Sequence, residues 1–321
     1  MSTYYTSKYS GEQIDEAVGK MLEGGMTGDY ADRQLSNLDT PQAALANLGA
    51  GVRPNLLINP FFQVNQRGQS SYGQGPTVDM WRLATDGNGK ATVANDGIII
   101  SGNTGTYCNF EVGIEEVPPG TYTESFLVDD HTKVSQIYAN GSGQFNITEN
   151  LISYKFEVKS ELDSVYWGIQ KFLSAGDLKI FGAKLEEGST QTLAYQDEDG
   201  AWQLLPQPES DYATQLLKCQ RYLAAMEEQT IVRSAYVSTN FVDFLVPIPV
   251  SFRVLPIIQS AEKLVLITQP DGANVSEVTW SIATKSSASV RLRASKPNIL
   301  SEGTDFSVYT DQGATFFSAE L

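Results

Sequence analysis

The stretch that most constrains the fold is LISYKFEVKSE, Leu151 to Glu161, where Ile152, Tyr154, Phe156 and Val158 recur at strict period two. That spacing places all four on one face of an extended strand, the signature of a half-buried sheet. The surrounding sequence repeats the theme. VPPGTYTESFLVDD, Val117 to Asp130, alternates in part around Tyr122, Phe126 and Val128, and VYWGIQKF and LKIFGAKLE read as further strands. Pro118-Pro119-Gly120 and Asn140-Gly141 punctuate them as turns. No helical period intervenes between residues 55 and 196. Closely spaced strands without helices predict an antiparallel sandwich and not a parallel α/β sheet.

The flanks read differently. Residues 1–54 are helical and punctuated by glycine. Ser10 and Gln13 form a capping-box pair. Ile14, Ala17, Val18, Met21 and Leu22 then fall on one helix face. A second short helix starts at Thr40-Pro41 and shows Leu45 and Leu48 on its apolar side. Two short single-stripe helices cannot bury a core alone. Ile14, Val18, Met21, Leu22, Leu45 and Leu48 are therefore the expected attachment or oligomer contacts. Residues 197–209 carry acids with Pro206 and Pro208, and read as a linker. Ser210 is the expected cap of a helix with Tyr212, Leu216, Cys219, Leu223 and Met226 on its apolar side. Residues 227–321 return to β, with Val242, Phe244 and Val246 alternating, and Val290 and Leu292 alternating around Arg291. The predicted chain is mainly β. A short N-terminal helical segment (1–54) precedes two β-sandwich, jelly-roll-like domains (55–196 and 227–321), which a linker and short helix (197–226) join.

Composition narrows the partners. The 321 residues carry a formal charge of −16 and no basic run. Phosphate backbones and anionic membrane surfaces both call for clustered Lys and Arg, so neither is an expected partner. No apolar run is long enough to span a bilayer as a helix, and MSTYYTSKYSGEQ lacks the apolar region of a secretory signal. Cys108 and Cys219 fall in what read as separate domains, so two free thiols are expected.

Catalytic signatures are sparse. With a single histidine, His131, the chain cannot supply the paired Cys and His ligands of a structural zinc site. No phosphate loop, dinucleotide fingerprint, EF-hand or nucleophile elbow is present. Glu115-Glu116, Asp129-Asp130 and Glu186-Glu187 are acid pairs, but neighbours along a strand point to opposite faces and cannot act as one couple. The expectation is a protein that is not an enzyme and needs no cofactor. Calcium on Asp129-Asp130, or on Asp197, Glu198 and Asp199, is kept as an alternative. Material for sugar recognition is present as aromatic rings near amides and acids. The candidate ligand contacts are Tyr72, Tyr107, Asn109, Asp129, Asp130, His131 and Trp167, with Tyr138 and Asn140 close by in sequence. Trp81 and Trp167 also suit a core.

Several segments carry a family resemblance in chain order. NLLINPFFQVNQRG (Asn55 to Gly68) followed by TVDMWR (Thr77 to Arg82) is similar to the opening of a carbohydrate-binding-module-like β-sandwich in bacteriophage tail fibres and other receptor-binding appendages. DRQLSNLDTPQAALANLGA resembles their connector, IFGAKLEEGSTQTLAYQ their closing strand, LLKCQRYL the helix that comes next, and VPIPVSFRVLPII the strand pair opening their C-terminal β domain. The chain departs from the family after the closing strand, where Ala194 to Glu198 stand in place of a Pro-Arg-Pro segment. The resemblance implies a virion protein, made in the host cytoplasm, that attaches through its N-terminus to other virion proteins. It also implies a homotrimer that binds host-surface glycan. A purely structural role as head fibre, decoration or baseplate subunit is the competing reading, and a glycan-cleaving depolymerase is a further one.

Overall fold

The structure is a computed structural model that describes residues 52–139, 142–144, 147–160, 162–197, 199–269, 271–299, 305–311 and 313–320. The expected N-terminal helices, with Ile14, Val18, Met21, Leu22, Leu45 and Leu48, lie outside the described residues, as do Asn140, Gly141 and Glu198. Residues 53–193 and 207–321 form one compact unit; 194–206 belong to another and are described by themselves.

The chain is mainly β. Twelve strands come first: β1 (Ser71–Tyr72), β2 (Gly75–Pro76), β3 (Trp81–Thr85), β4 (Lys90–Ala94), β5 (Gly97–Ser101), β6 (Cys108–Val117), β7 (Gly120–Val128), β8 (Val134–Ala139), β9 (Ser142–Gln144), β10 (Leu151–Val158), β11 (Leu162–Lys171) and β12 (Leu178–Glu187). They make two six-stranded sheets, in the orders β1-β4-β5-β12-β7-β10 and β2-β3-β6-β11-β8-β9. Every pairing within them is antiparallel. The period-two faces of both sheets meet in one apolar cluster. Ile98, Ile100, Phe126, Ile152, Ile180 and Leu185 come from the first sheet, and Trp81, Leu83, Phe110, Val112, Ile137, Trp167 and Ile169 from the second. Trp81 stacks on Phe110 with centroids 4.9 Å apart, and Phe62 meets both rings edge-on. Such contacts add roughly 0.5–1.5 kcal/mol per pair beyond the area they bury.

The NLLINPFF…TVDMWR segment forms the strained corner of this sandwich. Asn59, Phe62 and Met80 have φ of 55°, 60° and 73°, a region that asparagine tolerates and bulky residues avoid. Asn59 is buried and holds the corner shut. Its Nδ2 donates to Val64 O and Asp79 O, at 2.9 and 3.0 Å, and its Oδ1 accepts from Val64 N. Its backbone N–H donates to Gln215 Oε1 and its carbonyl accepts from Trp81 Nε1.

In the other unit, β13 (Ala194–Gln196), at the end of the segment read as the sandwich, forms a hairpin with β14 (Trp202–Leu204), inside the segment read as a linker. Asp197 closes it, accepting from Ala201 N and Gln203 Nε2. Helix α1 (Tyr212–Cys219) is capped by Asp211, which accepts from Thr214 N, while Ser210 turns back to Gln207 O. The helix stops at Cys219, so Leu223 and Met226, expected on its face, belong to the next strand instead. Gln220 and Arg221 fold the last turn back on itself, and β15 is free to pair. Cys219 packs in the same apolar cluster as Cys108, where the sequence suggested separate domains; both thiols are free and buried.

The remaining strands are β15 (Leu223–Met226), β16 (Ile231–Val237), β17 (Phe241–Pro247), β18 (Ile257–Gln259), β19 (Leu264–Gln269), β20 (Asn274–Val275), β21 (Thr279–Lys285), β22 (Ser289–Ser295), β23 (Asp305–Thr310) and β24 (Thr315–Ser318). They form a three-stranded sheet, β15-β24-β18, and a seven-stranded one, β20-β19-β23-β16-β17-β22-β21. Val242, Phe244, Val246, Val290, Leu292, Phe306 and Val308 fill the core between them.

Asn59→Ala should lower stability by about 3 kcal/mol or more, since it orphans buried backbone groups and leaves alanine in a left-handed conformation. Asn59→Gly relieves the conformational part and should lose about 1 kcal/mol less. Urea unfolding of both variants tests this. Losses below about 1 kcal/mol for both would mean that the side chain does not hold the corner.

Candidate functional site

The outward face of the second sheet collects side chains that pure packing does not call for. In β3, β6, β11 and β8 the apolar residues face inward, so Arg82, Asn109, Glu111, Tyr166, Gln170, Gln136 and Tyr138 face outward. Register aligns them. Arg82 sits opposite Glu111, Glu111 opposite Gly168, and Gly168 opposite Tyr138. The neighbouring row runs from Asn109 to Gln170 and Gln136. Tyr166 faces Gly113 on the other side.

These groups are preorganised. Tyr138 donates its hydroxyl to Glu111 Oε2 at 2.5 Å, and Arg82 Nε lies 3.1 Å from Glu111 Oε1. The Arg82 guanidinium reaches the Tyr166 hydroxyl at 3.0 Å and lies 4.8 Å from its ring centroid. Gln136 donates to Gln170. Gly168 is what allows the Tyr138–Glu111 bond to cross the sheet. A Cβ there would stand 2.6 Å from Phe110 O and 2.8 Å from the Tyr138 hydroxyl. Burial pushes the Tyr138 phenol well up, and the Glu111 charge beside it adds to the shift, so Tyr138 stays a hydrogen-bond donor. Tyr166 is 36% exposed, and the Arg82 side chain 40%. A hollow of about 290 Å³ adjoins on the Gly113 side, with Met80, Leu56 and Tyr222 among its walls.

Beneath this face, between the sheets, Glu124 is fully buried and neither oxygen has a well-formed hydrogen bond. Desolvation raises its pKa well above the ordinary carboxylate range, and the Gly168 backbone amide opposes that shift only in part. Trp167 Nε1 is likewise buried and unpartnered.

The expected contacts are scattered. Asn109 lies on this face, its Oδ1 buried without a partner, and Tyr138 is at its centre. Trp167 is instead a core residue at 0% exposure, 5.0 Å from the Phe156 ring. Tyr72 is buried too, and its hydroxyl donates to Asn65 Oδ1 to close the opening turn. Tyr107 precedes β6 and gives its carbonyl to Thr85 and its N–H to Asp86. Asp129, Asp130 and His131 form a self-satisfied loop after β7. Asn150 Oδ1 pairs with His131 N and Nδ1, Asp129 accepts from Lys179 N and Lys133 Nζ, and Asp130 caps Thr132. Among the described residues no three His, Cys, Asp or Glu converge as a metal site. The residues that sequence reasoning missed are Arg82, Glu111, Gln136, Tyr166 and Gln170. Their signal was alternation: each sits one position from a core residue on a strand.

No family model matches the chain, and no curated protein matches it in sequence. Among solved structures it is similar to the N-terminal CBM22-1-CBM22-2 tandem domain of Paenibacillus barcinonensis Xyn10C, at 10% identity and a TM-score of 0.27, over 85% of this chain and 99% of that one. A second is a Paenibacillus sp. cycloisomaltooligosaccharide glucanotransferase complexed with cycloisomaltoheptaose, at 10% identity and a TM-score of 0.21, over 86% of this chain and 49% of that one. Similarities this slight carry no argument about chemistry, which rests on the side chains of the sheet face themselves.

Ionising Glu124 is penalised in the folded state. A carboxyl with a raised folded pKa gives its stability below the ordinary value of 4.5 and loses it as pH rises toward the folded value. Glu124→Gln should therefore flatten the fall in stability from about pH 4.5 upward and be more stable than the natural chain at neutral pH. Denaturation across pH measures this, and parallel curves for the two proteins would show that Glu124 is not the group responsible.

Proposed function

We propose that this chain is a non-catalytic, glycan-binding protein of a bacteriophage appendage, and that the outward face of β3, β6, β11 and β8 is its sugar-contacting surface. The observation that carries the reading is the half-exposed Tyr166 ring, fixed by Arg82 and set beside Glu111, Tyr138, Gln136 and Gln170. An aromatic face offers a dry platform to the C–H side of a pyranose, and the surrounding carboxylate, amides and guanidinium suit its hydroxyls. The networked geometry keeps down the ordering cost of binding. Glu111 is the one carboxylate described on this face, and it is committed to Tyr138 and Arg82.

The appendage part of the reading is supported by the ordered resemblance of the NLLINPFF, TVDMWR, LLKCQRYL and VPIPVSFRVLPII segments to tail-fibre proteins. In that setting residues 1–54 attach to other virion proteins, the chain acts as a homotrimer, and weak sugar contacts gain from repetition on one particle.

A glycan array probed with the full chain should give saccharide hits. Tyr166→Ala and Arg82→Ala should each weaken those hits about tenfold or more, on the scale of an interface hot spot, with unfolding midpoints near that of the natural chain. Hits that persist undiminished in a folded double variant would move the site elsewhere, and a chain that binds no saccharide would end the reading.

A further inference from the structure

The outer face of the seven-stranded sheet carries a second surface of a different kind. Inward residues of β16, β17 and β22 form the core, so the alternate positions point out. Leu245 sits opposite Arg291, and Asp243 lies between Tyr236 and Arg293. Arg233 lies one residue beyond the Ser234–Phe244 pair that ends the β16–β17 pairing, on the side of Leu245, which is itself opposite Arg291. Arg233 and Arg291 are exposed and make no ion pair among the described residues. Arg293 is held flat. It forms a two-pronged bond to the buried Asp243, at 2.7 and 2.9 Å, and its guanidinium lies 3.8 Å from the Phe241 centroid. Tyr236 is 57% exposed and Leu245 47%.

Three arginines and an open tyrosine on one sheet face are unexpected in a chain with a net charge of −16. Asp243 neutralises one of them, while Arg233 and Arg291, on strands whose backbones are about 10 Å apart at two strand spacings, make no ion pair among the described residues. This excludes the face from packing on a copy of itself, because like charges would meet. Acids elsewhere on the molecule are largely screened beyond about 8 Å at physiological salt, so the local field governs what docks here. Arginine forks match the geometry of carboxylate and phosphate oxygens, and the open Tyr236 ring beside them offers an apolar face to a sugar.

We propose that this face binds an anionic saccharide chain through its carboxylate or phosphate groups, with Arg233 and Arg291 taking separate charges and Tyr236, on the neighbouring row opposite Asp243, contacting a sugar ring. The surface is separate from the one on the sandwich and does not depend on it. The test is equilibrium binding of the full chain to polygalacturonate, to a glycosylated glycerol-phosphate polymer, to neutral dextran and to poly-L-glutamate. The expected result is binding of one or both anionic saccharide polymers, weakening as salt rises. Arg233→Gln with Arg291→Gln should reduce it at least tenfold at an unchanged unfolding midpoint, and Tyr236→Ala should reduce it as well. Tyr166→Ala should leave it intact, which separates failure here from failure of the sandwich site. The carboxylate and phosphate arms identify which anion is read. The proposal is overturned if neither anionic saccharide polymer binds, if binding survives the double arginine variant, or if poly-L-glutamate binds as tightly as the saccharides.

Discussion

The buried side chain of Asn59 is the interaction on which the rest of the unit depends. One amide ties the backbone of Val64 to that of Asp79, and the main chain of the same residue receives the Trp81 indole and reaches Gln215 of α1. The corner it closes includes Phe62 and Met80 at positive φ, conformations that persist only where the surroundings over-determine them. The same corner faces the C-terminal strands. Gln66 bridges Asp79 and the Leu223 carbonyl. Arg67 pairs with Glu320 and reaches Gln259, while Met80 N donates to Glu320. The most recognisable sequence in the chain is thus a joint between the sandwich and the C-terminal strands, not a ligand site. Desolvation raises the pKa of Asp79 there, so the joint carries an electrostatic cost that its hydrogen bonds offset.

A joint of this kind limits how much of the fold is legible in sequence. Ile152 and Val158 announce a strand because one face packs and the other does not, and Val242, Phe244, Val246, Val290 and Leu292 do the same. Such alternation is local, and burial enforces it. The helix cap lies one residue beyond the expected Ser210 because Ser210 and Asp211 are both competent caps, and hydrogen bonding to Gln207 decides between them. Leu223 and Met226 continue the helical spacing of Leu216 and Cys219, yet β24 pairs with them. A strand partner almost a hundred residues away leaves no mark on local periodicity.

The candidate site is less legible for a related reason. Residue type and loop position favour Asp129, Asp130 and His131, and that loop satisfies its own hydrogen bonds. The outward array depends on register. Arg82, Glu111, Gly168 and Tyr138 come from four strands, and only the pairing of β3, β6, β11 and β8 brings them into one row. Gly168 is the least conspicuous member. Its missing side chain admits the Tyr138 hydroxyl to Glu111, a role visible only once the strands on both sides are in place.

Two polar faces on one acidic chain raise the question of how they divide their work. On the sandwich, Arg82 is opposed by Glu111 and engaged by Tyr166, so these described charges balance one another. That face suits a ligand recognised by hydroxyls and ring faces. On this face of the C-terminal sheet Arg293 is matched by Asp243, whereas Arg233 and Arg291 make no ion pair among the described residues, so attraction there is longer in range and weaker in geometry. A surface of the second kind raises the rate of encounter, and one of the first kind sets which sugar is held. Both faces belong to the compact unit that the corner at Asn59 and the Arg67–Glu320 pair help to join.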